Sequence, residues 1–290
     1  MSLLKLSLLL CIGVSALYAQ QWDDIVVKWD PLGVVSNIFN TAFFSLPTTS
    51  KAALSQNWVE VESDSEYWSI WCLPDDPRVC VLYDQQGNFA GIDVGLPPED
   101  YSGAPYDLSQ HPMYSNVTRF NQIISKGRIF LVSQDVLKSG GRSDLSEGVG
   151  TGLWLQNGDS LMEVPTTVSE IEEKTLFTRQ SCVPGMGRHY YYNMTKQLDC
   201  RWFEPYFLIT DVHTGSVHGI GFQGFGHPSH KGRVWFENVP AIAIRPTIPE
   251  TPDCLVDWAQ EYNVISLHIY FRSKPWNIGC GGILDTGFLA

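Results

Sequence analysis

The sequence predicts a mainly β fold, all-β or α+β, with antiparallel hairpins in two related units and one or two short helices. Short apolar runs rich in β-branched and aromatic residues recur along the chain, and 25 Gly and 17 Pro separate them. Part of the chain also matches another part of itself when the two are aligned. These features together are typical of a protein built from repeated β-hairpins.

The first residues have the layout of a secretory signal peptide, which we place at residues 1–19. Lys5 supplies the positive charge, an apolar run follows it, and small residues permit cleavage after Ala16 or after Ala19. The uncharged run is shorter than the stretch of about 20 apolar residues that a membrane-spanning helix needs. The sequence therefore predicts a secreted, extracellular protein with no membrane span.

Residues 20–57 are predicted to form an N-terminal helical segment. Within it, the run 31–45 has apolar residues at helical spacing, and Pro47 follows as a terminator. The apolar residues of this run are Leu32, Val35, Phe39 and Phe43.

The rest of the chain is predicted to form a first β unit at 58–165 and a second at 166–290, sharing one core. Segment 97–112 is predicted to be a long loop, and a short helix is expected at 171–177 with Ser169 as its cap. Apolar runs predict strands at 79–83, 129–132, 153–155, 207–209 and 264–270.

The self-match aligns residues 72–92 with residues 200–220. Five identities fall in this window, where ordinary amino-acid frequencies predict about one. Further along, residues 126–130 match residues 231–235. We therefore predict an internal duplication in which each copy contains one hairpin. The predicted two-residue turns are Gly87-Asn88 and Gly215-Ser216, with glycine where the turn requires a positive φ.

The second predicted turn would place His213 directly opposite His218. Opposed residues on one face of a hairpin have Cβ atoms about 5 Å apart, a separation that suits two ligands of one metal ion. His227 and His230 follow in the sequence and complete the predicted metal-ligand set. The alternative is that His218 is an ordinary, partly buried histidine.

Six cysteines remain after signal cleavage, because Cys11 lies within the signal peptide. An even number in an exported chain indicates three disulfides, and no Cys-x-x-Cys pair suggests zinc. Fifteen pairings are possible. We predict Cys72–Cys80 and Cys182–Cys200, which close short loops, and Cys254–Cys280 by elimination.

Two N-glycosylation sequons occur, at Asn116 and at Asn193, and we predict that both carry glycans.

Two aromatic clusters, 67–71 and 189–192, are the candidates for ligand binding. In a strand, neighbouring side chains point to opposite sides, so part of each cluster faces outward or into a cleft. Aromatic surfaces bind sugars and small apolar molecules, although packing over the disulfides is the alternative role. The candidate ligand-binding residues are Trp68, Trp71, Tyr190 and Tyr192.

The charge balance and the motifs limit the possible functions. The chain carries 19 Lys and Arg against 31 Asp and Glu, and its net charge of −12 argues against nucleic acid as a partner. It contains neither Gly-x-Ser-x-Gly nor a His-Glu-x-x-His helix, and it identifies no cofactor. The sequence favours a protein that binds an unidentified extracellular ligand, small or carbohydrate. A secreted enzyme, metal-dependent at His213 and His218, and an extracellular matrix or secretion component are the alternatives.

Several stretches resemble a family of secreted invertebrate proteins. The main one is the Cys-x-Pro-x-Met-Gly-x-His-Tyr stretch at 182–190, which continues to Asn193 and is followed by Asp199-Cys200 and Phe207-Leu208. Residues 79–84 and 152–158 also take part, so the resemblance covers roughly residues 58–280. It implies export and a common fold, and it implies no reaction.

Overall fold

The computed structural model describes residues 22–28, 43–101, 104–228 and 233–281. They form two antiparallel sheets of eight strands each, which confirms the mainly β prediction. The strands are β1 (Val26–Val27), β2 (Phe44–Ser45), β3 (Val59–Val61), β4 (Trp68–Leu73), β5 (Asp76–Asp84), β6 (Phe89–Leu96), β7 (Ser115–Arg119), β8 (Gln122–Phe130), β9 (Leu153–Asn157), β10 (Ser160–Val164), β11 (Phe177–Val183), β12 (Gly187–Tyr192), β13 (Tyr206–Asp211), β14 (Ser216–Phe225), β15 (Glu237–Val239) and β16 (Val264–Tyr270).

Short helices are more numerous than the one or two predicted. The described residues contain α1 (Ser50–Ser55), α2 (Pro98–Tyr101), α3 (Gln134–Lys138), α4 (Val168–Lys174), α5 (Ile244–Thr247) and α6 (Asp253–Tyr262). Among the described residues, no helix is long and apolar enough to cross a membrane.

Six strands of each sheet follow one another in the same order, and the remaining two are β9 and β10 in the first sheet but β1 and β2, from the start of the chain, in the second. In the first, β3-β4-β5-β6-β8-β9-β10 lie side by side and β7 pairs with β8. In the second, the order is β11-β12-β13-β14-β16-β1-β2 and β15 pairs with β16. The hairpin β5–β6 therefore corresponds to β13–β14, and β8 corresponds to β16. An internal duplication stays a prediction, and this shared order is what it would explain.

The second part of the self-match does not coincide with this shared strand order. Residues 126–130 lie in β8, whose counterpart by strand order is β16 and not 231–235. Arg233, Val234 and Trp235 belong to no strand, and residues 231–232 lie outside the described residues.

The inner faces of the two sheets share one hydrophobic cluster. Val81 and Ile92 of the first sheet belong to it together with Leu208, Ile220 and Leu267 of the second. All five side chains are fully buried, and burial of each contributes about 1.5–3 kcal/mol to folding. Alternation along each strand then sends the intervening side chains to the outer faces, where α3 covers part of the first sheet and α5 and α6 cover part of the second.

The hairpin turns are longer than predicted. Thr210 pairs with Val217 and Asp211 with Ser216, so four residues and not two connect β13 to β14. In each hairpin an aspartate ends the first strand, and its carboxylate accepts a hydrogen bond from a loop N–H: Asp211 from His213 (2.8 Å), Asp84 from Gln86 (2.9 Å). This side-chain cap stabilises the wider loop. The predicted positive φ of Gly87 and Gly215 is confirmed, at 78° and 64°.

The two helix predictions have different outcomes. Most of the predicted helix at 31–45 lies outside the described residues, and its end is a strand, since Phe44–Ser45 pairs with β1. The second helix begins at Val168 rather than at 171, and Phe177 starts β11. Thr167, not Ser169, occupies the cap position of α4, where its hydroxyl bonds to the Glu170 carboxylate at 3.0 Å.

The disulfide prediction is right for one pair and wrong for two. Cys72–Cys80 forms between paired strands, as predicted. The others are Cys182–Cys280 and Cys200–Cys254, not the predicted Cys182–Cys200 and Cys254–Cys280. Cys254 lies in α6, which packs on the outer face beside Cys200, while the segment after β16 reaches Cys182 at the end of β11. Tertiary packing rather than loop length decides these two partners.

A buried cluster of charges lies on the outer side of the first sheet. Asp93 is fully buried and sits directly opposite Arg128, whose Nε and Nη2 donate to its two oxygens at 2.6 and 2.8 Å. Arg119 donates to the same carboxylate. Burial opposes ionisation, but the charges of Arg128, Lys126 and Arg119 outweigh it and hold the pKa of Asp93 well below its usual range. The cluster joins β6, β7 and β8.

Candidate functional site

The aromatic stretch on β12 divides between the two faces of the second sheet. Tyr190 and Tyr192 point inward and pack with the central cluster, where Tyr190 is 1% exposed and its hydroxyl donates to Glu172 at 2.8 Å. His189 and Tyr191 point to the outer face. The side chains of β12 that face a cavity are therefore His189 and Tyr191, and not the predicted Tyr190 and Tyr192.

A glycine shapes the floor of this cavity. A Cβ atom at Gly221 would lie 1.8 Å from the ring of Phe207, so only glycine lets that ring lie across the neighbouring strand. The ring of Phe207 contacts those of His189 and His268, with centroids 5.3 and 5.2 Å away. The rings of Tyr191 and Phe207 stack at 4.9 Å. The floor is thus a continuous layer of aromatic and imidazole rings.

The walls are mostly apolar and come from the segments that cover the sheet. The turn between β11 and β12 forms one side, and the short helical segment 240–248 forms the roof. The enclosed volume is about 200 Å³, comparable to cavities that hold a molecule somewhat larger than benzene. The apolar wall residues are Val183, Met186, Val239, Ala243, Ile244 and Ile248.

Polar groups converge at one end of the pocket. His268 Nδ1 lies 2.8 Å from Glu237 Oε2, and the Tyr191 hydroxyl donates to Gln223 Oε1 at 2.7 Å. Ser266, on β16, lies directly opposite both Glu237 and Gln223 in the neighbouring strands. These pairs come from different strands, β12, β14, β15 and β16, so the fold brings them together.

Burial sets the charge state of this polar end. It lowers the pKa of His189 to about 3, so that imidazole is neutral at neutral pH, and it raises the pKa of Tyr191. Glu237 is paired with His268. The pocket can therefore enclose an apolar body and make hydrogen bonds to a polar group at one end, which is the usual chemistry of a small-molecule site.

The four predicted metal ligands do not form one site in the described residues. His213 is exposed in the turn, whereas His218 is buried, with Thr214 Oγ1 3.1 Å from one ring nitrogen and Arg272 Nη1 2.8 Å from the other. His227 follows the far end of β14, more than about 20 Å of strand from His218. His230 lies outside the described residues. Among the residues that the structure describes, no group of three or more His, Cys, Asp or Glu could hold a metal ion. The register that suggested the site is wrong.

The two predicted tryptophans lie on β4, away from this pocket. Trp71 packs with Tyr83 on the inner side, at a centroid distance of 6.3 Å. Trp68 is half-buried on the outer side of the first sheet, against Phe130. The four predicted ligand residues thus do not form one surface.

Both sequon asparagines are exposed. Asn116 lies in β7, and Asn193 follows β12 with a φ of 49°. Their glycosylation stays a prediction.

A second group of titratable side chains lies where a loop meets β13. Glu204 Oε2 is buried with no hydrogen-bond partner among the described residues, and His111 Nε2 is 3.9 Å from it. The hydroxyls of Tyr106, Tyr114 and Tyr206 are close enough that the charge of Glu204 affects their ionisation. Burial raises the pKa of Glu204 to about 7 and lowers that of His111.

The Glu204→Gln variant is expected to remove a pH dependence of stability. The carboxyl has a pKa of about 7 when folded against an ordinary 4.5, so the native state binds the extra proton. This extra proton stabilises the folded protein. The stabilisation is complete below pH 4.5 and is lost as the pH rises through 7, so the free energy of unfolding falls by about 3 kcal/mol in all. Urea unfolding at pH 5 and at pH 8 measures this. The variant should gain stability over the wild type only at pH 8, whereas exposed Glu173→Gln should show no such difference, and an equal gain at both pH values would contradict the expectation.

Comparisons with family models, with curated proteins and with solved structures find no match to this chain. The pocket is therefore judged on its own chemistry. Sequence reasoning missed Gln223, Glu237 and His268 because they stand on strands whose pairing joins distant parts of the chain. The one signal was the aromatic stretch 189–192, which contributes His189 and Tyr191.

Proposed function

We propose that this protein is a secreted binding protein that holds a small, largely apolar molecule with one polar end in the pocket on the outer face of the second sheet. The observation that carries the proposal is a cavity of about 200 Å³ with mostly apolar walls, in which Gln223, Glu237 and His268 come together from three neighbouring strands. Such a site buries most of a small ligand and fixes its orientation. The ligand's polar end would meet His268, Gln223 and Tyr191.

Export and glycosylation belong to the same proposal. The signal-like start of the sequence, three disulfides and two exposed sequons support it. The stretch that resembles the secreted invertebrate family also supplies Val183, Met186 and His189 to the pocket. We infer that ligand binding is the property to test first in such proteins.

Fluorescence titration with 2-naphthol, a flat apolar molecule with one hydroxyl, tests the pocket. We expect a dissociation constant on the order of 100 µM for the wild type. Ala243→Phe places a ring in the cavity and should weaken binding at least tenfold. The neighbouring Ile242, 86% exposed and no part of the lining, provides the control Ile242→Phe, which should bind normally. Binding that survives Ala243→Phe would overturn the assignment to this pocket.

The second candidate is a secreted enzyme that uses the same pocket. The observation that favours it is the contact of His268 with Glu237, since an imidazole oriented by a carboxylate is the arrangement of a general base. Recovery of a chemically changed ligand after incubation with the protein would favour this candidate over simple binding.

A further inference from the structure

A second cavity, separate from the apolar pocket, lies on the outer face of the first sheet. We propose that it binds a neutral hexose unit of a glycan, stacked on the ring of Trp68. The cavity has a volume of about 360 Å³ and opens to solvent between β4, β8, α3 and the β9–β10 hairpin. This volume is at the lower end of the range for small-molecule sites and leaves room for a mono- or disaccharide.

The structure holds the Trp68 ring in place while leaving part of it exposed. Phe130 packs edge-on against it with centroids 5.2 Å apart, and the Arg128 guanidinium lies 5.5 Å from its centroid. Its indole N–H donates to Asp64 Oδ1 at 3.3 Å. A platform fixed in this way loses little conformational entropy when a ligand binds. It offers a flat apolar surface to the C–H face of a pyranose ring.

The groups around the platform suit the hydroxyls of a sugar. Gln134 Nε2 is buried at the cavity with no hydrogen-bond partner among the described residues. Gln156 is held in place by Lys126 Nζ, 3.0 Å from its Oε1. The hairpin adds Asp159 and Ser160, both exposed. Amide, carboxylate and hydroxyl groups around an aromatic face can donate to and accept from sugar hydroxyls.

The charges favour a neutral sugar over an acidic one. Arg128 is already paired with two carboxylates, Asp93 within the sheet and Asp64 at 2.9 Å from its Nη1. The remaining charges of the lining are Lys138 and Asp159, which are of opposite sign. The chain as a whole carries −12, which repels anionic glycans. A neutral hexose therefore fits the site better than a sialylated or sulfated one.

Isothermal titration calorimetry with glucose, galactose, mannose, N-acetylglucosamine, maltose, cellobiose, lactose and chitobiose tests the proposal, with sialyllactose as the acidic comparison. We expect at least one neutral sugar to bind with a millimolar or lower dissociation constant. Trp68→Ala should weaken that binding at least tenfold. The matched control is Trp202→Ala, because Trp202 is 65% exposed and lies in the connection between β12 and β13, outside the cavity.

Asp159→Asn, in the exposed turn between β9 and β10, provides a second variant and should weaken binding of the same sugar severalfold. Binding of none of the neutral sugars, binding of sialyllactose alone, or equal binding by wild type and Trp68→Ala would each overturn the proposal. The site and the apolar pocket lie on different sheets. We therefore expect 2-naphthol binding to be unchanged in Trp68→Ala and sugar binding to be unchanged in Ala243→Phe. Failure of one proposal therefore leaves the other standing.

Discussion

The Asp93→Asn variant is expected to lose about 3–5 kcal/mol of unfolding free energy. Asparagine keeps the shape of the side chain but removes the charge that neutralises Arg128 and Arg119. Arg119 and Arg128 are each 4% exposed and Lys126 is 1% exposed. Water therefore cannot replace the lost carboxylate. Urea unfolding at pH 7, where the wild-type carboxylate is fully ionised, measures the loss.

Asp64→Asn is the matched control for this variant. Asp64 binds the same guanidinium, with both oxygens 2.9 Å from Arg128 Nη1, but its side chain is 43% exposed. An exposed partner is screened by water, and its loss should lower the unfolding free energy by less than about 1 kcal/mol. Equal losses for the two variants would mean that burial does not set the strength of this cluster, contrary to what the geometry implies.

This cluster shows where prediction from the sequence stops. The predicted strand 129–132 coincides with β8 only at Ile129 and Phe130, and β8 begins earlier, at Gln122, because Lys126 and Arg128 break the apolar pattern that marks a strand. Arg128 is buried opposite Asp93, which stands on a strand 35 residues earlier, and the same carboxylate is close enough to offset the charge of buried Lys126. Local composition can predict a strand. It cannot predict which carboxylate will neutralise a buried arginine, because that depends on which strands pair with each other.

The pocket illustrates the same limit for function. The aromatic stretch on β12 was identified from the sequence, but the choice of Tyr190 and Tyr192 over His189 and Tyr191 depended on which face of the strand meets the core. Strand alternation has a period of two, so one residue of uncertainty exchanges the two faces completely. The roof of the pocket comes from 240–248, a segment without a strong apolar pattern. Only the sheet pairing brings it over the outer face.

The disulfides give the second large expected effect. Replacing Cys182 and Cys280 together by alanine is expected to lower the unfolding free energy by about 4–5 kcal/mol, because this bond closes a loop with a sequence separation of 98 residues. The constraint removes conformational entropy from the unfolded chain, and the amount grows with loop length. Urea unfolding of the oxidised proteins measures it.

Cys72→Ala with Cys80→Ala is the control, since its bond spans only 8 residues and its removal should cost about 2.5 kcal/mol. Equal losses would mean that local packing of the sulfur atoms, not loop closure, provides the stabilisation.

The two variants should also differ in ligand binding. Cys182 directly precedes Val183, a wall residue of the apolar pocket, so loss of its bond should weaken 2-naphthol binding. The Cys72–Cys80 bond lies on the other sheet, and its loss should leave that binding unchanged.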